Sequence, residues 1–291
     1  MSTGVVRVRA RASVERVWEA LTNADELRVW LAELAEVDVR QGVFEFWGRF
    51  TPEGERGRQK LLEVGERSVK FSWFLHGKDY TVELSVGTRD GETVVAASQS
   101  PYPAWGEGIE DETHAGVVQT FWPLVLGNLV EHVEGRPVFG LCDFSTPEQR
   151  FEVDIAAPAA AVIDALTDVE KFQRWFGARA SIEPFVGGRW AMGSFEEEPN
   201  PGKVVALDES RFAIEFPDGM VSSWELAESG GRTHLTFVQS GFDLGTPPYG
   251  SWMGWLSGFV DMRRMLEIAD WKPMWHSMEM PGLPEGALVL E

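Results

Sequence analysis

The chain has 291 residues, 44% of them hydrophobic and 25% charged, which suits a soluble globular protein of about two domains. Its formal net charge is −20 with acid in excess in both halves, so nucleic acid and anionic membrane, which need a basic footprint, are excluded as partners. A single cysteine, Cys142, excludes a disulfide framework and a cysteine-built zinc site within one chain, and the expected compartment is the cytoplasm.

Residues 5–12 alternate Val6, Val8 and Ala10 against Arg7, Arg9 and Arg11, as a half-buried strand does. Ser13 is placed to cap a helix over 14–22, and after the break Thr22-Asn23-Ala24-Asp25 a second short helix runs to Trp30 or Leu31. Strand candidates follow over 43–50, 59–64, 68–75, 80–86 and 93–98, parted by turn signals such as Arg89-Asp90-Gly91. About six strands therefore make an antiparallel meander. Residues 100–112 read as a loop rich in Pro, Gly and acid. A helix over 116–133 carries Trp122, Val125, Leu126, Leu129 and Val133 on one face, with Pro123 marking its first turn or a kink.

The same order then repeats. Val17–Leu31 (VWEALTNADELRVWL) returns 145 positions later as Val162–Phe176 (VIDALTDVEKFQRWF), and Thr93 and Gln99-Ser100 return 140 positions later as Thr233 and Gln239-Ser240. A period of this length means two copies of one domain. The expected division is 1–135 for the first domain, 136–149 for a linker and 150–268 for the second domain. Residues 269–291, with Trp271, Met274, Trp275 and Met278, are expected to pack as a tail on the surface. The N-terminal sequence has no apolar run of signal-peptide length, and no run spans a bilayer, so no membrane insertion is expected.

These features resemble a known family. The helix pair and its echo, the Gly187-Gly188-Arg189-Trp190 turn-strand, and WELAESGGRTHLTFVQSGF before the last helix are similar to the activator of heat-shock protein 90 ATPase homologue-like family, within the START-like (SRPBCC) superfamily. The resemblance covers nearly the whole chain twice, and the first copy departs from it where Gln41 replaces Gly187 and in the long acidic loop. It implies an α+β fold: two tandem helix-grip domains, each a curved antiparallel sheet wrapped around a long C-terminal helix with two short helices after the first strand. It also implies a cavity between sheet and helix, which relatives use for apolar molecules, some with catalysis and some without. Trp30 and Trp175 are expected to close one end of each grip.

Within that frame, Leu235, Phe237 and Gln239 share a strand face, and Trp224 lies on the preceding strand. With Trp190, Met192, Trp252, Trp255 and Phe259 they either line an apolar chamber with a polar group at one end or fill the core. The matched set in the first copy is Phe44, Phe46, Gln99 and Trp122, with the smaller Val95 and Ala97. No two of His76, His114, His132, His234 and His276 stand at a metal-ligand spacing, and no catalytic motif is present, so no cofactor and no metal are expected. His114 sits in what reads as a solvated acidic loop, and His234 on the outer face of its strand.

Three functions follow as candidates. The first is binding of a hydrophobic small molecule without catalysis. The second is a cyclase- or hydrolase-type enzyme using a cavity acid or base such as Glu45 or His76. The third is a co-chaperone-like stress-response module; a protein partner is possible, although no residues mark its surface.

Overall fold

The computed structural model describes residues 2–290. In chain order the first half contains β1 (Gly4–Ala10), α1 (Val14–Thr22), α2 (Ala24–Trp30), β2 (Leu34–Asp38), β3 (Val43–Trp47), β4 (Gln59–Val64), β5 (Ser68–Leu75), β6 (Lys78–Arg89), β7 (Glu92–Ser100), α3 (Trp105–Glu110) and α4 (Ala115–Val133). The second half contains β8 (Gln149–Ile155), α5 (Ala159–Thr167), α6 (Val169–Phe176), β9 (Ala180–Ile182), β10 (Arg189–Met192), β11 (Gly202–Leu207), β12 (Arg211–Glu215), β13 (Val221–Ser229), β14 (Arg232–Ser240) and α7 (Tyr249–Glu267). A last strand, β15 (Trp275–Glu279), closes the order.

Two compact units emerge. The first holds Met1–Thr146 with Pro248–Ser257 and Met274–Leu283; the second holds Pro147–Pro247 with Gly258–Pro273 and Pro284–Glu291. The N-terminal half of α7 and all of β15 therefore group with the first unit. The segment after residue 269 forms no loose end there: β15 pairs antiparallel with β1, matching Val6 with Met278. The Arg9 N–H also donates to the Met274 carbonyl at 2.7 Å.

The repeated helix pair shows how the sequence writes the same local structure twice. Asn23 and Asp168, the break residues between the two helices, each cap the second one. The Asn23 side chain accepts from the Asp25 N–H at 2.8 Å, and Asp168 accepts from the Lys171 N–H at 2.9 Å. Trp30 donates its ring N–H to the Ala20 carbonyl at 3.1 Å, and Trp175 donates to Ala165 at 2.8 Å. Both rings are fully buried. A buried indole needs a partner for its one polar atom, and the preceding short helix supplies it in both copies.

The sheets differ between copies. In the second unit seven strands run without a break in the order β8-β14-β13-β12-β11-β10-β9. In the first unit the six-stranded sheet is β15-β1-β7-β6-β5-β4, and β2 and β3 form a separate two-stranded ribbon. At the gap between β3 and β4 the side chain of Gln59, itself buried, accepts from the Phe46 N–H at 3.3 Å. One side-chain bond stands where a backbone ladder would run, which keeps a buried amide paired. Residues 100–112, expected as loop throughout, contain α3. Pro123 lies well inside α4 and not in its first turn.

Candidate functional site

In the second unit the inner face of the sheet carries two contrasting rows. Phe212, Trp224, Phe237 and Phe151 lie in register across β12, β13, β14 and β8. Phe212 stacks on Trp224 with ring centroids 5.1 Å apart and 25° between planes, and Trp224 stacks on Phe237 at 5.0 Å and 29°. Phe259, on the C-terminal half of α7, meets Phe237 edge-on at 4.9 Å and Trp224 at 6.2 Å. Each such ring contributes roughly 2–3 kcal/mol by leaving water. The place where sequence suggested a chamber is thus occupied by rings packed on one another, with Leu235 fully buried beside them.

The other predicted residues fall elsewhere. Trp190 packs against Phe172 at 6.1 Å and Phe216 at 5.8 Å, and half-buried Met192 lies at the end of the same short strand. Trp252 and Trp255 group with the first unit, away from the set they were read with.

One step along the strands from the aromatic row lies a polar one. Ser222, Gln239 and Gln149 are paired in register across β13, β14 and β8, and are 0%, 3% and 2% exposed. Gln239 donates its amide Nε2–H to Ser222 Oγ at 3.0 Å. Both amide atoms of Gln149, Nε2 and Oε1, are buried with no hydrogen-bond partner. Sequence reasoning found Gln239 and missed Gln149 and Ser222; the register of three strands was needed to bring them together.

At this end of the strands a cleft of about 400 Å³ opens, bounded by residues 147–150 on one side and by 238–242 and Leu244 on the other. Its walls include Pro147, Val238, Phe242 and Leu244, and Leu244 is 67% exposed. The volume lies in the range of small-molecule sites, and apolar walls with a few polar groups are their usual lining.

In the first unit the four predicted residues do converge, through rings the sequence reading did not single out. Phe44 meets Phe46 at 6.1 Å and Phe71 at 5.1 Å, Phe46 meets Trp73 at 5.1 Å, and Trp73 meets Trp122 at 5.9 Å. Trp122 donates its ring N–H to Gln99 Oε1 at 2.7 Å. Phe71 and Trp73 carry a signal that could have found them: β5 alternates Val69, Phe71, Trp73 and Leu75 on its buried face.

The acid/base candidates lie off these cores. Glu45 sits between Phe44 and Phe46 on the opposite face of β3, where Arg56 holds it at 3.1 Å; Arg56 also bonds Glu36 and lies 4.9 Å over the Trp47 ring. A carboxylate on the outer face with its own guanidinium is not a cavity acid, and the reading of Glu45 as one is corrected here. His76 lies in the β5–β6 turn, with its ring edge-on to His114 at 4.2 Å and Nδ1 3.8 Å from Glu53. Burial, then the neighbouring His114, hold its pKa below the ordinary histidine value. His234 is on the outer face of β14, 2.9 Å from Asp154. Among the described residues no group of three or more His, Cys, Asp or Glu side chains is placed to hold a metal ion, and no helix is long and apolar enough to cross a membrane.

A model of the family described as Activator of Hsp90 ATPase homolog 1-like protein matches residues 11–134 and again 156–257, together more than half of the chain. The chain belongs to that family. It carries two tandem AHSA1-like domains of mixed α and antiparallel β structure.

Similar solved structures include DynU16, described as a putative protein in the dynemicin biosynthetic locus. It is 17% identical over 92% of this chain and 100% of its own, with a TM-score of 0.36. CalU16 from Micromonospora echinospora is 22% identical over 46% of this chain and 76% of its own, with a TM-score of 0.35. An AHSA1-like protein from Aeromonas hydrophila is 19% identical over 44% and 96%, with a TM-score of 0.33. No curated protein matches the chain.

The two AHSA1-like copies diverge at one matched point. Gln149 in β8 corresponds to Gly4 in β1: each opens its strand, and each is in register with the matched glutamine, Gln239 or Gln99. Over Gly4 lies the ring of Tyr102, so close that a Cβ there would sit 2.4 Å from it. Tyr102 is fixed by its hydroxyl, which donates to the Gln119 carbonyl at 3.3 Å. That carbonyl lacks its helical donor because the residue four positions on is Pro123. The first AHSA1-like copy is therefore closed at the strand end by its own tyrosine. In the second copy the matched residue is Phe242, which has no hydroxyl, lies half-buried in the cleft wall, and faces a helix without proline.

Proposed function

We propose that the chain binds an apolar small molecule and that the second AHSA1-like copy holds it, in the cleft at the end of β8 and β14. The observation that carries the reading is that cleft: about 400 Å³, walled by Pro147, Val238, Phe242 and Leu244, and bordered by a buried polar row. Family membership agrees with it, since domains of this fold are ligand-binding modules. The packed aromatic row forms the floor under the site, and Gln239 with Gln149 supplies its polar end. No group with the placement of a general acid, base or nucleophile borders the cleft in a way that supports an enzymatic reading.

Native mass spectrometry of the purified chain, together with isothermal titration against apolar ring compounds, tests this. The expected result is one molecule per chain, with binding reduced at least tenfold by Val238→Glu or Leu244→Glu. Binding unaffected by both substitutions would remove the cleft from consideration.

A further inference from the structure

The second copy buries a primary amide and leaves it without a partner. Gln149 is 2% exposed, and neither its Nε2 donor nor its Oε1 acceptor has a hydrogen bond. A primary amide carries two N–H donors and an oxygen with two lone pairs. Leaving such a group dry and unpaired costs roughly 1–3 kcal/mol. Its neighbour in the row, Gln239, is already bonded to Ser222, so the row ends on Gln149. An apolar side chain at this place on the inner face would carry no such penalty, and the matched position in the first copy has no side chain at all.

The comparison with the first copy shows what fits there. At the same strand end that copy places an aromatic ring with one hydrogen-bonding group, Tyr102, over Gly4. The second copy has the cleft instead, with the residue that lines it carrying an unused donor and acceptor side by side. We infer that the second copy takes a flat ring compound presenting an amide edge, such as a lactam or a carboxamide, against the Gln149 amide. Two parallel hydrogen bonds then form, N–H of the ligand to Oε1 and Nε2–H to the ligand carbonyl, reached by rotation of the Gln149 side chain about its own χ angles. The ring lies between Pro147 and Phe242, in the place that Tyr102 fills in the first copy. This inference rests on the proposed small-molecule reading and names the ligand chemistry for it.

Calorimetric titration of the full chain with naphthalene, quinoline and 2-quinolone tests it. The three probes share a fused two-ring shape, and present no polar edge, an acceptor alone, and a donor beside an acceptor. The expected order has 2-quinolone at least tenfold tighter than naphthalene, because a site with buried polar groups discriminates against ligands that leave them unpaired. In Gln149→Leu the gap is expected to shrink to within about twofold, with naphthalene binding retained. Gln149→Leu also removes an unpaired buried amide, so its thermal midpoint is expected at or above that of the unmodified chain; Gln149→Met is the second variant if Leu does not fold. Equal affinity for the three probes, or a gap that survives both substitutions, overturns the amide-edge inference and leaves apolar binding standing. Failure of all three probes to bind overturns both.

Discussion

At the scale of single residues, Gly4 and Tyr102 make one interlocked pair. A Cβ at position 4 would stand 2.4 Å from the Tyr102 ring, nearer than real Cβ contacts come, and the ring is held from behind by the Gln119 carbonyl. Gly4→Ala is therefore expected to destabilise the chain by about 2 kcal/mol, in the range of overpacking in a filled core. In the Tyr102→Ala background the same substitution should cost far less, since the clash is gone. A double-mutant cycle in urea reads this directly, and additive effects would show that the ring does not press on Gly4.

His76 gives a second test at this scale. It has φ +50°, and Asn tolerates that region better than most residues, so His76→Asn removes the ring with little backbone cost. The groups facing it are His114, Glu53, Asp111 and Arg58, and burial comes first in lowering its pKa. A folded pKa below the ordinary 6.5 means that the unfolded chain takes up the proton first. Stability from this group is therefore full above about pH 6.5 and declines as pH falls through the lowered folded value. The thermal midpoint is expected to drop between pH 7 and pH 5, and to drop less in His76→Asn. His276, lowered by burial and then by Arg9, keeps part of the slope in the variant.

At the scale of elements, the sequence made the repeated parts legible and hid the parts that depend on distant partners. β4 and β5 match the alternating runs from which they were read, and α1 starts where Ser13 caps it, its side chain accepting from the Arg16 N–H at 3.1 Å. β2 was missed because only Ala35 in it is buried, too little for a period of two to show. β15 was missed because its partner is β1, at the other end of the chain, and nothing local in Trp-His-Ser-Met-Glu announces that pairing. Its hold is partly side-chain: Arg7 reaches Ser277 at 3.1 Å and Glu279 at 2.5 Å, while Arg9 reaches the Trp275 carbonyl at 2.8 Å. Trp275 itself is buried. Trp275→Ala is expected to cost about 3 kcal/mol and to bare the edge of β1, which is then open to pairing between molecules. Faster hydrogen exchange at β1 amides and concentration-dependent light scattering are the expected readouts; unchanged exchange would mean that β15 does not secure the edge.

The helices of the first unit are tied by a different device. Glu26 on α2 meets Arg16 on α1 at 2.7 Å and His132 on α4 at 2.7 Å. Burial works against its charge, but hydrogen bonds from Arg16 and His132 outweigh that and hold the carboxyl below the usual range. Its contribution is therefore present above the unfolded value of 4.5 and lost as pH falls through the lower folded one. Glu26→Gln is expected to cost about 1 kcal/mol at neutral pH and nothing once the carboxyl is protonated. Urea midpoints at pH 7 and pH 3 separate the two cases, and an equal loss at both would show that charge is not what binds the three helices.

At the scale of the whole molecule, duplication of a domain invites the expectation of two equivalent sites, and the residues point to one. The sequence exposed the duplication through the helix pair, which builds the scaffold and sits away from the cleft. It could not expose the difference in function, because that difference lies in a register: Gln149 against Gln239, and Gly4 against Gln99. A glycine read alone is a flexible point, and a proline inside a helix is a kink. Only together, with Tyr102 between them, do Gly4 and Pro123 make a plug, while Gln149 and Phe242 in the other copy make an open wall. The expected stoichiometry for naphthalene is therefore one per chain. Tyr102→Ala, at a cost of about 3–5 kcal/mol, leaves over Gly4 an apolar hole of the kind that stays dry and accepts small aromatic molecules. That variant is expected to bind a second naphthalene, while its uptake of 2-quinolone stays at one, because Gly4 offers no amide to pair with. Two molecules of naphthalene bound to the unmodified chain would mean that Tyr102 does not close the first copy, and a count of one in the variant would mean that the hole collapses.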